Sequence, residues 1–285
     1  MINESNIALL IESSIKKGNA DIISFFQTLI SQLKKIIPIN FLKYIIKKRL
    51  YEKQIYFIRH AEAEHNVLER KFGKDFEKIN VYDPNLTDKG VNQTLLTIQK
   101  LRRLTNRGVV FNSVFISPLK RTFQTYFLIY KNLNRNTQVF ATDFAREVLS
   151  GLDKNKGQPL SWLKNELKEE KINLDFMTKE YWWYDDGKNK ENENEGSLRF
   201  QIRLRLFILW LIFRPENNIL IISHSHVFNG LQDKGIVNAD LAKMDNNVLY
   251  TKIEELLTVT IPENIPAKKP VQKAVKKPGK KVKKK

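Results

Sequence analysis

The chain has four histidines, and all of them fall in two short runs. IRHAEAEHN (58–66) carries Arg59, His60, Glu62, Glu64, His65 and Asn66, and ISHSHVF (222–228) carries His224 and His226. Each run directly follows an apolar segment. Two chemistries use such residues. A metal site would combine the HxxxxH and HxH spacings with a carboxylate such as Glu62 or Glu64. An anion site would use a histidine as nucleophile on phosphorus, with arginines holding the oxygens. Arg59 beside His60 favours the anion, because a cation repels a divalent metal while its planar fork matches phosphate. A second arginine comes from ISPLKRTFQT (116–125), where Pro118 suits a helix start and Arg121 falls in the first turn. Helix N-termini also favour anions, through their free backbone N–H groups.

These residues need a scaffold that brings separate strand ends together. Strand-like segments are QIYFI (54–58), SVFIS (113–117), QVFAT (138–142), NILIIS (218–223), NVLYTKI (247–253) and LLTVTI (256–261). Helix-like segments cover 87–105, 119–132, 159–171, 196–213 and 226–235. Such alternation predicts an α/β layered fold with a mainly parallel sheet, in which ligands bind beyond the carboxyl ends of the strands. Parallel strands would carry both histidine runs to one edge. The polar, glycine-flanked GKNKENENEG (187–196) reads as an exposed loop.

The flanks differ from this middle. Of the formal net charge of +18, the ten lysines of 268–285, with no acid among them, supply +10, and residues 1–53 supply +5, leaving +3 for 54–267. Asp21 caps a predicted helix with apolar positions Ile22, Phe25, Phe26, Leu29, Leu33, Ile36 and Ile37. Pro38 stops it, and a second, basic helix FLKYIIKKRL follows. The expected organisation is a helical N-terminal extension (1–53), a catalytic-type domain (54–262) and a disordered lysine-rich tail (263–285). The absence of cysteine excludes disulfides, zinc thiolates and a cysteine nucleophile. MINESNIALLIESSIKK is a poor secretory signal, and LFILWLIF (206–213) is too short to span a bilayer. An intracellular, cytoplasmic protein is expected.

The motifs together resemble the histidine phosphatase, or phosphoglycerate-mutase-like, superfamily. RHAEAEHN is similar to its opening Arg-His-Gly motif, LTDKGVNQT (86–94) to its LTxxGxxQ element, and SPLKRTFQT (117–125) to SPLxRxxQT. FAREVLSG (144–151) loosely resembles the element carrying the acid, and IISHS (221–225) the closing strand with its histidine. They occur in family order over 54–250. The resemblance implies a three-layer sandwich around the parallel sheet. It also implies a metal-independent reaction without cofactor, in which His60 attacks phosphorus to form a phosphohistidine. Arg59, Asn66, Arg121 and a cationic His224 would hold the phosphoryl oxygens, and Glu147 would serve as acid and then base, with Glu62 as the fallback acid. His65 and His226 are expected at the rim, Asp88 and Gly90 at a helix start, and Trp162, Trp182 and Trp183 in packing or a pocket wall.

Two features depart from the family pattern. Ala61 replaces the glycine, which would matter if the backbone there needed a positive φ. His65 and Val148 stand where glycolytic mutases carry Trp and Arg, which argues against a mutase; RHAEAEHN with SHSHV is more similar to a eukaryotic branch of phosphoglycerate-mutase-like proteins. The expected substrate is a phosphorylated small molecule or phosphoprotein. The alternative is a weak or inactive relative serving as a scaffold in a larger assembly, docked through the N-terminal helices and basic tail. Residues 268–285 would attract an acidic protein, nucleic acid or an anionic surface, without base readout.

Overall fold

A computed structural model describes residues 4–258 apart from 19–20, 74, 76–78, 80, 150–151 and 185–194. The lysine-rich tail and most of 187–196 lie outside the described residues. The elements run α1 (Glu4–Lys17), α2 (Ile22–Ile36), α3 (Ile39–Tyr51), β1 (Gln54–Arg59), α4 (Glu64–Phe72), α5 (Asp88–Asn106), β2 (Ser113–Ile116), α6 (Lys120–Ile129) and β3 (Gln138–Ala141). They continue through α7 (Leu160–Glu166), β4 (Ile172–Asn173), α8 (Ser197–Phe213), β5 (Asn218–Ser223), α9 (Ser225–Gln232), β6 (Leu241–Lys243) and α10 (Asn246–Thr258).

The six strands form one sheet in the order β4-β3-β2-β5-β1-β6. All neighbours are parallel except β6, which pairs antiparallel with β1. Successive strand side chains alternate between faces, so each strand feeds two cores. Ile55, Phe57, Phe115, Ile219 and Ile221 join one cluster, with α8, α9 and α10. Tyr56, Ile58, Val114, Ile116, Leu220 and Ile222 join the other, with residues of α5, α6 and α7. The fold is therefore α/β, with helices on both faces of a mostly parallel sheet.

Residues Ile202–Phe213 of α8 are buried on every side. A helix apolar all round needs cover all round. The sheet covers one side, and α1, α2 and α3 pack on the other through Ile7, Ile11, Phe26, Leu29, Leu33, Ile46 and Leu50. The N-terminal stripe is thus used within the same core. The expected cap on α2 is present, with Asp21 accepting the Ser24 N–H at 3.0 Å.

Three expectations fail locally. Residues 247–258 are helix α10, not two strands, because Leu249, Ile253, Leu256 and Leu257 bury a helical stripe against α3 and α9. The edge strands β4 and β6 were missed, being only 2 and 3 residues long. Glu195, inside the segment read as exposed loop, is buried. Among the described residues, no helix is long and apolar enough to cross a membrane.

Candidate active site

Parallel pairing in register sets Arg59 opposite Ser223, and the His60 N–H continues the ladder to the Ser223 carbonyl at 2.9 Å. His60 and His224 therefore leave the sheet side by side, with ring centroids 5.2 Å apart, and His65 lies 5.6 Å from His60. Nδ1 of His60 donates to the Ala61 carbonyl at 2.7 Å, which leaves Nε2 as the lone-pair nitrogen. Burial pushes the His60 pKa well below the usual value, and the Arg121 charge adds to this. The ring is neutral and nucleophilic at pH 7.

The loop motifs hold the turn after His60. Thr125 Oγ1 accepts the Ala61 N–H at 3.0 Å, and Gln93 Oε1 accepts the Glu62 N–H at 2.9 Å. Thr87 caps α5 through the Gly90 N–H, and Thr87 N–H donates to the Glu62 carbonyl. A Cβ on Gly90 would stand 2.1 Å from that carbonyl oxygen, so glycine permits the close approach. Thr87, and not Asp88, is the cap residue. Ala61 keeps an ordinary backbone, since Asp83, Asp233 and Ala239 are the described non-glycine residues with positive φ. Its methyl brings no backbone strain.

Around His60, four buried nitrogens have no partner among the described residues: Arg59 Nε, Arg121 Nε, His65 Nδ1 and His224 Nδ1. Buried polar atoms are rarely left so. Each ring or guanidinium is anchored through another atom. Arg121 donates to the Lys154 carbonyl at 2.8 Å and to Asn155 Oδ1 at 3.0 Å, and Arg59 to the Ile236 carbonyl at 2.9 Å. His224 Nε2 lies 2.7 Å from Ser117 Oγ, and His65 Nε2 accepts from Asn66 Nδ2 at 3.0 Å. These four unpaired nitrogens beside the His60 ring, two of them on guanidinium groups, make a pocket suited to an anion's oxygens.

Glu147, the expected acid, is buried, and its Oε1 accepts the Val148 N–H at 2.8 Å. Its Oε2 lies 3.1 Å from His226 Nδ1. Burial pushes its carboxyl up, but the His226 hydrogen bond and charge, the Val148 N–H and the Arg121 charge outweigh this and hold it below the usual range. Glu62 is engaged elsewhere: Arg70, Lys89 and Thr87 hold its carboxylate. Asn66 is committed to the loop, with Oδ1 accepting from Ala63 N–H and Asn238 Nδ2. Trp182 and Trp183 are buried in the core packing, while Trp162 is largely exposed.

The expected positive charge on His224 is not present. Burial, then the Arg121 charge, holds its pKa well below the usual value, so it is a neutral imidazole. Sequence reading also missed an ion triad behind the acid. Glu195 accepts from Arg203 Nε at 2.6 Å and NH2 at 2.8 Å, and pairs with Arg146 at 3.1 Å. Arg203 NH1 also donates to the carbonyls of Phe144 and Arg146 at 2.7 and 2.9 Å, and Ser223 Oγ donates to the Ala145 carbonyl at 2.6 Å. These bonds fix the segment that presents Glu147. Asn238, which donates to the His60 carbonyl at 3.1 Å, was missed too.

Because His60 and His224 resist protonation when folded but not when unfolded, the unfolded state binds more protons below the ordinary histidine value of about 6.5. The unfolding free energy should then fall as pH drops from 7 to 5. Urea titrations across that range would show it, and a Phe replacement of His224 should flatten the slope. His226 has the opposite shift, raised by the Glu147 hydrogen bond and charge. NMR should therefore show one histidine titrating above 6.5 while His60 and His224 stay neutral.

A family model described as the histidine phosphatase superfamily (branch 1) matches residues 55–256. Similar solved structures include an Escherichia coli protein assigned provisionally as an alpha-ribazole-5'-P phosphatase, 21% identical over 68% of this chain and 90% of that one, TM-score 0.42. They include the ecdysone phosphate phosphatase of Bombix mori in complex with tungstate, 14% identical over 68% and 89%, TM-score 0.43. A mycobacterial glucosyl-3-phosphoglycerate phosphatase is 13% identical over 67% and 89%, TM-score 0.39. No curated protein sequence matches the chain.

Proposed function

Because the chain belongs to the histidine phosphatase superfamily, we propose that it is a metal-independent phosphomonoesterase that forms a phosphohistidine on His60. The observation that carries this reading is the buried, neutral His60 with Nδ1 bound to the Ala61 carbonyl, among four buried nitrogens without a partner among the described residues. His60 Nε2 attacks phosphorus, and the bond to the leaving oxygen breaks. Arg59 and Arg121 supply the charge that spreads over the phosphoryl oxygens in the transition state, with neutral donors from His65 and His224. The leaving oxygen takes a proton from Glu147, which then takes one from the attacking water as the P–N bond breaks. Asn66 acts in this scheme by fixing His65. The substrate class is a phosphorylated small molecule or a phosphoprotein.

Ala61 would favour a weak or inactive relative only if its backbone were strained, and its φ is not positive. The N-terminal helices proposed as docking elements spend their apolar stripe on α8. The test is p-nitrophenyl phosphate hydrolysis with and without EDTA, together with rapid quenching of labelled substrate. Turnover that resists EDTA, with acid-labile, base-stable label mapping to His60, is the expected result. Label on another residue, or loss of turnover with EDTA, would overturn the mechanism. Phosphate binding without any turnover would favour the scaffold.

A further inference from the structure

The acid proposed above has an unusual neighbour. Glu147 has a side chain only 9% exposed, yet it bonds to His226, whose side chain is 68% exposed. A general acid must hold a proton at the working pH, and a carboxylate kept ionised by a cation holds none. We propose that His226 and Glu147 together are the proton donor: His226 stores the proton that Glu147 delivers to the leaving oxygen. This rests on the phosphatase reading and deepens it.

The geometry supplies what the relay needs. Nδ1 of His226 is 3.1 Å from Glu147 Oε2, within reach for proton transfer, while Oε1 is fixed by the Val148 N–H. His226 sits in the first turn of α9, and its ring equilibrates with solvent. The charged groups that face it are Glu147 from the segment after β3, Lys154 from the next segment and Arg59 from β1; Arg121 of α6 faces Glu147. Lys154 and Arg59 oppose a charge on His226, and so does the N-terminal end of α9. Glu147 outweighs them and raises the His226 pKa above its usual value, so the two groups share a proton across the 3.1 Å contact.

The proton count closes over one turnover. As His60 Nε2 bonds to phosphorus, the leaving oxygen departs with the pair's proton, leaving the carboxylate and a neutral imidazole. Water then attacks the phosphohistidine and gives a proton back to the pair. Phosphate leaves, and His60 and the pair are restored. Glu147 touches the leaving group, and His226 acts through it as a positioning and proton-storing residue.

The test measures kcat/KM of the full chain on aryl phosphates from p-nitrophenyl to phenyl phosphate. A p-nitrophenolate needs little protonation, whereas phenolate, with a pKa near that of tyrosine at about 10, needs much. In His226→Gln, which keeps a hydrogen-bond donor beside Glu147 but no transferable proton, phenyl phosphate should lose about ten- to a hundredfold more than p-nitrophenyl phosphate, within the usual range of acid catalysis. The alkaline limb of the pH profile should also move to lower pH. In a Glu147→Gln background, His226→Gln should add no further steepening. A leaving-group dependence like that of the wild type, or equal losses on every substrate, would overturn the proposal. Phosphohistidine on His60 of the wild type is scored separately; its absence would sink the phosphatase reading, whereas its presence with an unchanged leaving-group dependence would sink only the role of His226.

Discussion

Replacing His60 by Gln should lower kcat by about ten-thousandfold or more, the scale seen when a covalent nucleophile is removed. The amide has no lone-pair nitrogen to attack phosphorus. The binding cradle, however, belongs to other residues. Arg121 stays anchored on Lys154 and Asn155, Arg59 on Ile236, and His224 against Ser117. Affinity for inorganic phosphate, read as a competitive inhibition constant in the wild type and by calorimetry in both proteins, should change less than tenfold. The pair of measurements separates nucleophile from binder. If phosphate binding vanished with turnover, His60 would be a structural or binding residue. If turnover fell less than tenfold, the nucleophile would lie elsewhere.

The largest stability effect is expected at Glu195. Its carboxylate is shared by Arg146 and Arg203, and all three are buried. Burial alone would push Glu195 up, but the charges of Arg146 and Arg203 hold it below the usual range, so it is ionised at neutral pH. Removing one member of a buried ion group leaves charge uncompensated in a poor solvent, typically at a cost of 3–5 kcal/mol. Glu195→Gln keeps the shape and deletes the charge, so about that loss should appear in urea unfolding. Replacing Arg146, Glu195 and Arg203 together by apolar residues should destabilise less, because the charges of the triad go together and Asp143, which faces both arginines, keeps Lys179 as a counter-charge. The triple variant should still lose kcat, since Arg203 no longer holds the carbonyls of Phe144 and Arg146 that set the Glu147 segment. Stability lost equally in both variants would mean that packing, not charge, dominates.

Much of this was legible in the sequence because the signals were local. The strands β1, β2, β3 and β5 are continuous apolar runs, as expected for strands buried on both faces. Each motif sits where such a run ends, so His60, Arg121 and His224 could be placed at one sheet edge before any coordinates. What escaped depends on contacts between distant residues. Glu195 looks like loop because its neighbours are polar, and only Arg203 and Arg146 make it a core residue. The charge of His224 depends on burial that composition does not reveal. Residues 247–258 are rich in β-branched and aromatic types, yet the sheet edge beside β1 is taken by three residues of β6, and the segment packs as a helix on α3 and α9.

The placement of α8 and β5 has a consequence for how the chain is made. β1 pairs only with β5 and β6 among the described strands, and α1–α3 bury their stripe on α8. The hydrogen bond from Arg49 to the Ile212 carbonyl joins residues 163 apart. At synthesis rates of 5–20 residues per second, that separation is roughly 10–30 s. Throughout that interval the early helices and β1 have been translated while their partners have not. Order of synthesis runs against order of burial, and the central strand arrives among the last. A nascent chain halted just before α8 would hold three amphipathic helices and an unpaired strand edge, which makes it the species on this route most in need of a holding chaperone.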